Sequence, residues 1–266
     1  MDRQDVAIVV NTTPKYFPLL DAHFGLLRRY ASQVHWGVFL ATEAANELTV
    51  QLVVKRWGIN VIRLPADKTD FFESRLAAVE ALPPAVKFVL PLQEDFLLER
   101  KVDCDALREA VDILGLDYSV KGVRLMPCPA SSTGESYQNT ARYEVLGETD
   151  LQFSYQATIW RRDAWVAYMR ALIQQTRELQ PSLRVGSRDY NQYAIRSNPA
   201  ETFVGLSMLK HLFPGGKFLC YTRAGTWANA VYLSPWPYRP TAVVHGILEK
   251  WAAELIRREG FGVVNI

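Results

Sequence analysis

The sequence predicts an α/β fold, a mostly parallel sheet flanked by helices, with a smaller and less regular subregion toward its C-terminal end. Three observations predict it. Short apolar runs of buried-strand length alternate with segments whose apolar residues recur at helical spacing. Turn and breaker residues separate them, as at Pro83-Pro84. A chain of 266 residues that is 49% hydrophobic and 22% charged can bury one substantial core and is not disordered.

Taken in order, VAIVVN (6–11) reads as a buried strand, and KYFPLLDAHFGLLRRYA (15–31) as a helix, with Tyr16, Leu19, Leu20, Phe24, Leu27 and Tyr30 on one face. VHWGVFLAT (34–42) is a second strand, EAANELTVQLVVKRW (43–57) a second helix and INVIRLP (59–65) a third strand. DFFESRLAAVEAL (70–82) is a helix with Asp70 as N-cap, followed by the strand VKFVLPL (86–92). Such βαβ alternation argues for parallel strands, and ligands in such sheets bind at the strands' carboxyl ends. Thr12 and Thr13 after the first strand, and Gln93, Glu94 and Asp95 after the fourth, therefore converge on one crevice.

The remainder reads as a helix (105–115), a short strand (120–127) and a Ser-, Thr- and Gly-rich loop (128–150). A strand (151–160), a helix (161–176), a helix (198–212), strands at 217–223 and 229–234, and a final helix (246–259) follow. No repeat or clear linker divides the chain, so one domain over 1–266 is the expectation, with functional halves at 1–125 and 126–266.

Composition and missing motifs exclude several functions. A net charge of +2 gives no basis for a nucleic-acid partner. Cys104, Cys128 and Cys220 lie far apart and read as reduced thiols of a cytoplasmic protein. The N-terminus lacks a signal-peptide pattern, and no apolar run approaches the roughly 18 residues of a membrane span. No GxGxxG follows the first strand, no GxxxxGK[ST] occurs, and GLSML has Leu209 where a nucleophile elbow needs glycine. His23, His35, His211 and His245 form no HExxH.

Three segments, VAIVVNTTPKYFPLL, FFESRLAAVEALPPAVKFVLPLQEDFLL and SYQATIWRRDAWVAYM, together resemble nucleotide-sugar glycosyltransferases of the GT-A fold, of the kind that build bacterial surface polysaccharides. The resemblance covers roughly residues 5–205 and rests on the order and spacing of the three. It implies a Rossmann-like GT-A domain, a donor such as UDP-, GDP- or dTDP-sugar, a saccharide or lipid-linked saccharide acceptor, and Mn²⁺ or Mg²⁺. Gln93-Glu94-Asp95 matches the position of the family's DxD motif, with glutamine first, and makes Asp95 the metal ligand. Thr12, Thr13 and Arg75 are then expected at the nucleoside and diphosphate. An inverting enzyme also needs a carboxylate base on the acceptor side. Glu201 is one candidate, although Asn198-Pro199-Ala200-Glu201 also reads as a capping box. Asp163 is the other, although it also reads as a helix-start charge. Gln156 and Trp160 fall on the strand resembling the sugar-facing one, where a tryptophan is otherwise core, and His245 falls where some GT-A enzymes carry a late metal ligand.

Trp236, Tyr238, Arg239, Trp251, Arg257 and Arg258 near the C-terminus are residue types that meet anionic headgroups, so peripheral association with the inner membrane face is an expectation beside simple packing. A saccharide- or nucleotide-binding protein with a degenerate site is the alternative to an enzyme, and Gln93 is the feature that favours it. A nucleotidyltransferase on a similar sheet would need a glycine- and lysine-rich phosphate loop after the first strand, which the chain lacks.

Overall fold

The run VAIVVN is apolar at five consecutive positions because both of its faces are covered. Val6, Ile8 and Val10 enter one hydrophobic cluster and Ala7 and Val9 the other, as side chains alternate across a strand. The computed structural model describes residues 2–66, 70–126, 132–149, 151–178, 199–201, 203–221, 234–239, 241–264 and 266.

The N-terminal half runs β1 (Asp2–Asn11), α1 (Leu20–Tyr30), β2 (His35–Thr42), α2 (Leu48–Trp57), β3 (Asn60–Arg63), α3 (Phe71–Glu80) and β4 (Phe88–Gln93). Its strands lie in the order β3-β2-β1-β4, all parallel. The chain leaves β1 toward β2 on one side and returns through α3 to β4 on the other. The crevice between the carboxyl ends of β1 and β4 is therefore the topological switch point, where open α/β sheets bind ligands.

Local chemistry sets the helix ends. Asp70 caps α3 by accepting from the main-chain N–H groups of Phe72 (2.8 Å) and Glu73 (3.1 Å), as its place before an apolar-periodic run predicts. Asp103 does the same for α4 (Cys104–Leu116), at 3.0 Å from both Asp105 and Ala106 N–H. Leu107, Ala110, Val111 and Leu114 line its buried face. α2 ends at Gly58, whose φ of 59° is the left-handed conformation that closes a helix with little strain for glycine.

Beyond β4 the sheet becomes mixed. It continues through β5 (Val120–Arg124), β6 (Ser132–Ser136), β7 (Tyr143–Leu146), β8 (Thr158–Arg161) and β9 (Lys217–Tyr221), giving nine strands in the order β3-β2-β1-β4-β8-β5-β9-β7-β6. β8 lies antiparallel between β4 and β5, and β9 runs parallel to β5. α5 (Arg162–Glu178) and α6 (Phe203–Leu212) pack on the face that carries α3. A small hairpin, β10 (Val243–Val244) and β11 (Ile247–Leu248), precedes α7 (Lys250–Arg258). Among the described residues no helix is long and apolar enough to cross a membrane, and Cys104 and Cys220 are free thiols.

Several expectations change. The segment expected to be a loop over 128–150 contains the β6–β7 hairpin, whose pairing with β9 extends the main sheet. The strand expected over 151–160 is confined to β8, because Leu151–Gln152 carbonyls instead accept from the buried Arg124 guanidinium at 2.7 Å each. The first helix begins as a 3-10 turn over Pro14–Leu19, with Pro18 inside it. The second begins at Leu48. Cys128 and residues 229–233 of the strand expected at 229–234 lie outside the described residues.

Trp160 is not on a sugar-facing surface. It is 1% exposed and packs among Phe153, Trp165, Tyr168 and Phe218, with ring centroids 5.3–6.2 Å away. Trp236 and Tyr238 are fully buried as well, so neither can meet a membrane surface. Arg239 pairs with Glu99 at 2.6 Å and lies over the Trp251 ring at 5.1 Å.

Removing the Trp160 side chain should lower stability by ~3–5 kcal/mol, the cost of a large core cavity, when Trp160→Ala is unfolded in urea. A tryptophan that served a sugar would leave the midpoint nearly unchanged. Gly205→Ala should cost ~1–3 kcal/mol by the same measurement, because a Cβ there collides with the Ala200 carbonyl and lies 2.5 Å from the Tyr168 hydroxyl.

Candidate functional site

The parallel register sets Asn11 of β1 beside Gln93 of β4, so the two strands end at one level. At that level the chain bends. Phe96 N–H returns to the Gln93 carbonyl (3.1 Å), and Phe96, Leu97 and Leu98 turn down into the core. The interruption in the apolar run is thus a corner, anchored by β4 before it and by three buried side chains after it. Glu94 and Asp95 occupy the corner and are only 8% and 7% exposed.

A cleft of about 270 Å³ opens there, lined by Asn11, Thr12, Thr13 and Tyr16 after β1, Glu43 after β2, Leu64 after β3, Phe71, Ser74 and Arg75 of α3, and Gln93 and Glu94. Every one of these stands at a strand's carboxyl end or on the helices that follow. Asn11 donates from its side-chain amide to the Ser74 carbonyl (3.3 Å), which ties β1 to α3. Arg75 is 9% exposed, with its guanidinium 3.5 Å above the Phe71 ring and a hydrogen bond to the Phe71 carbonyl at 3.1 Å.

The carboxyls at the corner are electrostatically strained. Burial pushes Glu94 up to about 8, with the neighbouring Asp95 charge adding to the shift and Arg75 opposing it. Burial likewise pushes Asp95 up to about 6, against the main-chain N–H of Val243 and the charge of Arg75. Asp95 Oδ2 accepts from Val243 N–H at 3.4 Å, while Oδ1 is buried with no hydrogen-bond partner. Behind the corner, α1 places His23, 3% exposed, and burial lowers it to about 4 against the Glu94 main chain.

Oxygen donors that are buried, adjacent and short of positive charge suit a hard divalent cation, which completes its shell with water and phosphate oxygens. Asp95 and Glu94 fit that role. Among the described residues there is no group of three or more His, Cys, Asp or Glu side chains placed to hold a metal, so the protein itself would supply only part of the shell. His245, expected as a ligand, is an exposed turn residue. His245 and Gly246 have φ of 52° and 78° and form the tip of the β10–β11 hairpin, whose base docks on Asp95 through Val243.

Of the acceptor-side candidates, Glu201 lies in a 3-10 turn over Pro199–Glu201, not in the first turn of α6. Its Oε1 accepts from the Ser154 hydroxyl (2.9 Å) and from Tyr155 N–H (3.0 Å). The Tyr155 ring meets Phe71 edge-on at 5.0 Å, so Glu201 connects to the cleft through two aromatic rings. The partner residue Asn198 of the expected capping box lies outside the described residues. Gln156 accepts from the Tyr238 hydroxyl at 2.7 Å, just before β8 on the crevice side of the sheet. Asp163 is displaced from the site altogether. It follows the end of β8, where Arg161 is opposite Phe88 at the start of β4, and it accepts from the Tyr118 hydroxyl (2.6 Å) at the opposite end of the strands from the cleft.

Sequence reasoning did not single out Asn11, Tyr16, Glu43, Leu64, Phe71 or Ser74. The strand-end rule that selected Thr12 would have found Glu43 and Leu64 after the second and third strands. Helical spacing from Arg75 would have found Phe71. Nothing in the sequence marks His23 as a buried polar residue.

No family model matches the chain, and no curated protein matches it. Solved structures that it resembles include two kinds of transferase. The galactosyltransferase LgtC in complex with donor and acceptor sugar analogs shares 14% identity over 79% of this chain and 71% of that one, with a TM-score of 0.45. The glycosyltransferase GlyE in Streptococcus pneumoniae TIGR4 shares 12% over 82% of this chain but 45% of its own, with a TM-score of 0.42. CMP:2-keto-3-deoxy-manno-octonic acid synthetase complexed with CTP shares 16% over 82% of this chain and 89% of that one, again at 0.45.

Proposed function

We propose that the protein is a glycosyltransferase that moves a sugar from a nucleoside diphosphate donor to a saccharide or lipid-linked saccharide acceptor. The observation that carries this reading is the pair of adjacent buried carboxyls at the switch point, Glu94 lining the cleft and Asp95 next to it with one oxygen unpartnered. Residues 1–125 would bind the donor and 126–266 the acceptor, within one unit.

In this reading Asn11, Thr12 and Thr13 meet the nucleoside and Arg75 the phosphates, for which a guanidinium's paired donors are suited. Asp95 and Glu94 would hold Mn²⁺ or Mg²⁺. When bound, the ion supplies positive charge to the leaving diphosphate as the glycosidic bond breaks. An acceptor hydroxyl oxygen bonds to the anomeric carbon as that carbon's bond to the diphosphate oxygen breaks, and the nucleoside diphosphate departs. The hydroxyl proton passes to a carboxylate, for which we propose Glu201, and the anomeric centre inverts. Gln156 would orient a sugar.

A second reading, a nucleotide-sugar or saccharide-binding protein with no metal, is favoured by one observation. Glu94, raised to about 8, is mostly uncharged at neutral pH and beside it stands Gln93 instead of a carboxylate. Donor hydrolysis separates the two. Slow release of free sugar by the wild type, lost in Asp95→Asn, excludes the binding-only reading.

In thermal unfolding with Mn²⁺, one of UDP, GDP, dTDP or CDP should raise Tm by several degrees, and Asp95→Ala or Asp95→Asn should abolish the gain. No shift with any of the four would overturn the proposal.

The same carboxyls give a pH signature. Glu94 keeps its proton to about pH 8 in the folded protein against an ordinary value of 4.5, so the folded state holds the extra proton between those values and stability falls as pH rises. Asp95 acts in the same direction between 3.8 and about 6. His23 acts in the opposite direction, because it stays neutral down to about 4 when folded but charges near 6.5 when unfolded. From pH 6.5 to 8 Glu94 dominates these three. Cation-free Tm should fall across that window, and the Glu94 contribution should vanish in Glu94→Gln. Mn²⁺ should stabilise more at pH 8 than at pH 6, because it competes with the carboxyl protons.

A further inference from the structure

Two charged groups near the cleft have unmet bonding capacity, and the same hairpin touches both. One is Asp95, whose Oδ1 is unpartnered and whose Oδ2 receives Val243 N–H at the base of the β10–β11 hairpin. The other is Lys15. It stands between Thr13 and Tyr16, both of which line the cleft, and it is exposed. Its ammonium makes no hydrogen bond or ion pair among the described residues, and its one ring contact, with Tyr16, is a loose 5.4 Å.

The ammonium is nonetheless placed. It rests against the hairpin tip so closely that a Cβ on Gly246 would lie 2.5 Å from Nζ. Gly246, at φ 78°, serves two needs there, the left-handed turn conformation and the space for the lysine end. The hairpin therefore links Asp95 at its base to Lys15 at its tip. A single ligand that satisfies both ends carries a cation for the carboxylate and an anionic group for the ammonium. A metal-complexed diphosphate is such a ligand.

We infer that Lys15 is a phosphate-binding residue, its ammonium directed to the diphosphate of a nucleotide whose metal ion is held at Asp95. The assignment rests on the glycosyltransferase reading above and adds a cation that the acidic step and Arg75 do not account for. Arg75 is buried on α3 and interacts with Glu94 and Asp95, whereas Lys15 approaches from the β1 side, so the two would bracket the phosphates.

The test is calorimetric titration of the full chain with Mn²⁺ present, using UDP, GDP, dTDP and CDP and the corresponding nucleosides. Lys15 is exposed, so its variants should melt as the wild type does. For the diphosphate that the wild type binds, Lys15→Gln should weaken affinity about tenfold, the scale of one charge-assisted hydrogen bond, while the nucleoside binds as before. Lys15→Arg should keep most of the affinity. Unchanged diphosphate affinity in Lys15→Gln overturns the inference and leaves the glycosyltransferase reading standing, as does an equal loss for nucleoside and diphosphate. Wild-type protein that binds none of the four diphosphates overturns both.

Discussion

Two adjacent carboxyls, each less than a tenth exposed, are the constraint around which the switch-point region is arranged. Taking carboxylates out of water costs several kcal/mol apiece unless charge or hydrogen bonds meet them. The surrounding structure meets that cost only in part. Arg75 supplies a nearby positive charge, and Val243 supplies an N–H. What keeps the corner in place is apolar. β4 runs into it from two buried faces, and Phe96, Leu97 and Leu98 draw the chain back into the core immediately after it. The anchoring comes from hydrophobic burial, and it holds an electrostatic demand that the described residues meet only in part, as pre-organised binding sites often do.

The supporting contacts form a chain of dependence. Asp70 caps α3, α3 carries Arg75 and Phe71, and Asn11 fastens that helix to the end of β1. Phe71 in turn meets Tyr155, whose N–H is held by Glu201. The switch-point cleft and the turn over Pro199–Glu201 are thereby connected through ring contacts and one carboxylate, not through a continuous strand. Substitutions at Tyr155 would loosen that link without touching any strand of the parallel half.

Much of the parallel half was legible in the sequence, because strands buried on two faces must be apolar throughout and the helices between them must carry a stripe. The Asp70 cap and the place of the acidic step followed from that pattern. The mixed half was harder for a physical reason. β6 and β7 are short, with Ser, Thr, Gly and Glu in the first, and they gain their identity from pairing with β9, far along the chain. Strand character over 151–157 was overridden by a buried arginine, Arg124, taking two of that segment's carbonyls. At the site, residue type alone could not separate Asp95 from Asp163. Both follow strands, but β8 runs antiparallel to β4, so the same rule of strand ends sends Asp163 to the opposite end of the strands. Trp160 illustrates the same limit, since a tryptophan that stacks on a sugar and one that fills a core have the same letter and spacing.

The two outermost strands bear on how this chain behaves in a crowded solution. Among the described residues the nine-stranded sheet ends on β3 and β6, whose outer edges carry N–H and C=O groups that another extended segment could pair with. β3 has four residues and ends in Asn60 and Arg63, and β6 has five, mainly hydroxylated or charged or glycine. Both margins are short, and their side chains are poor material for a dry zipper. The long apolar strands that would template fibrous stacking, β1 and β4, are the ones enclosed at the centre. Placing the strands in that order is a safeguard against aggregation.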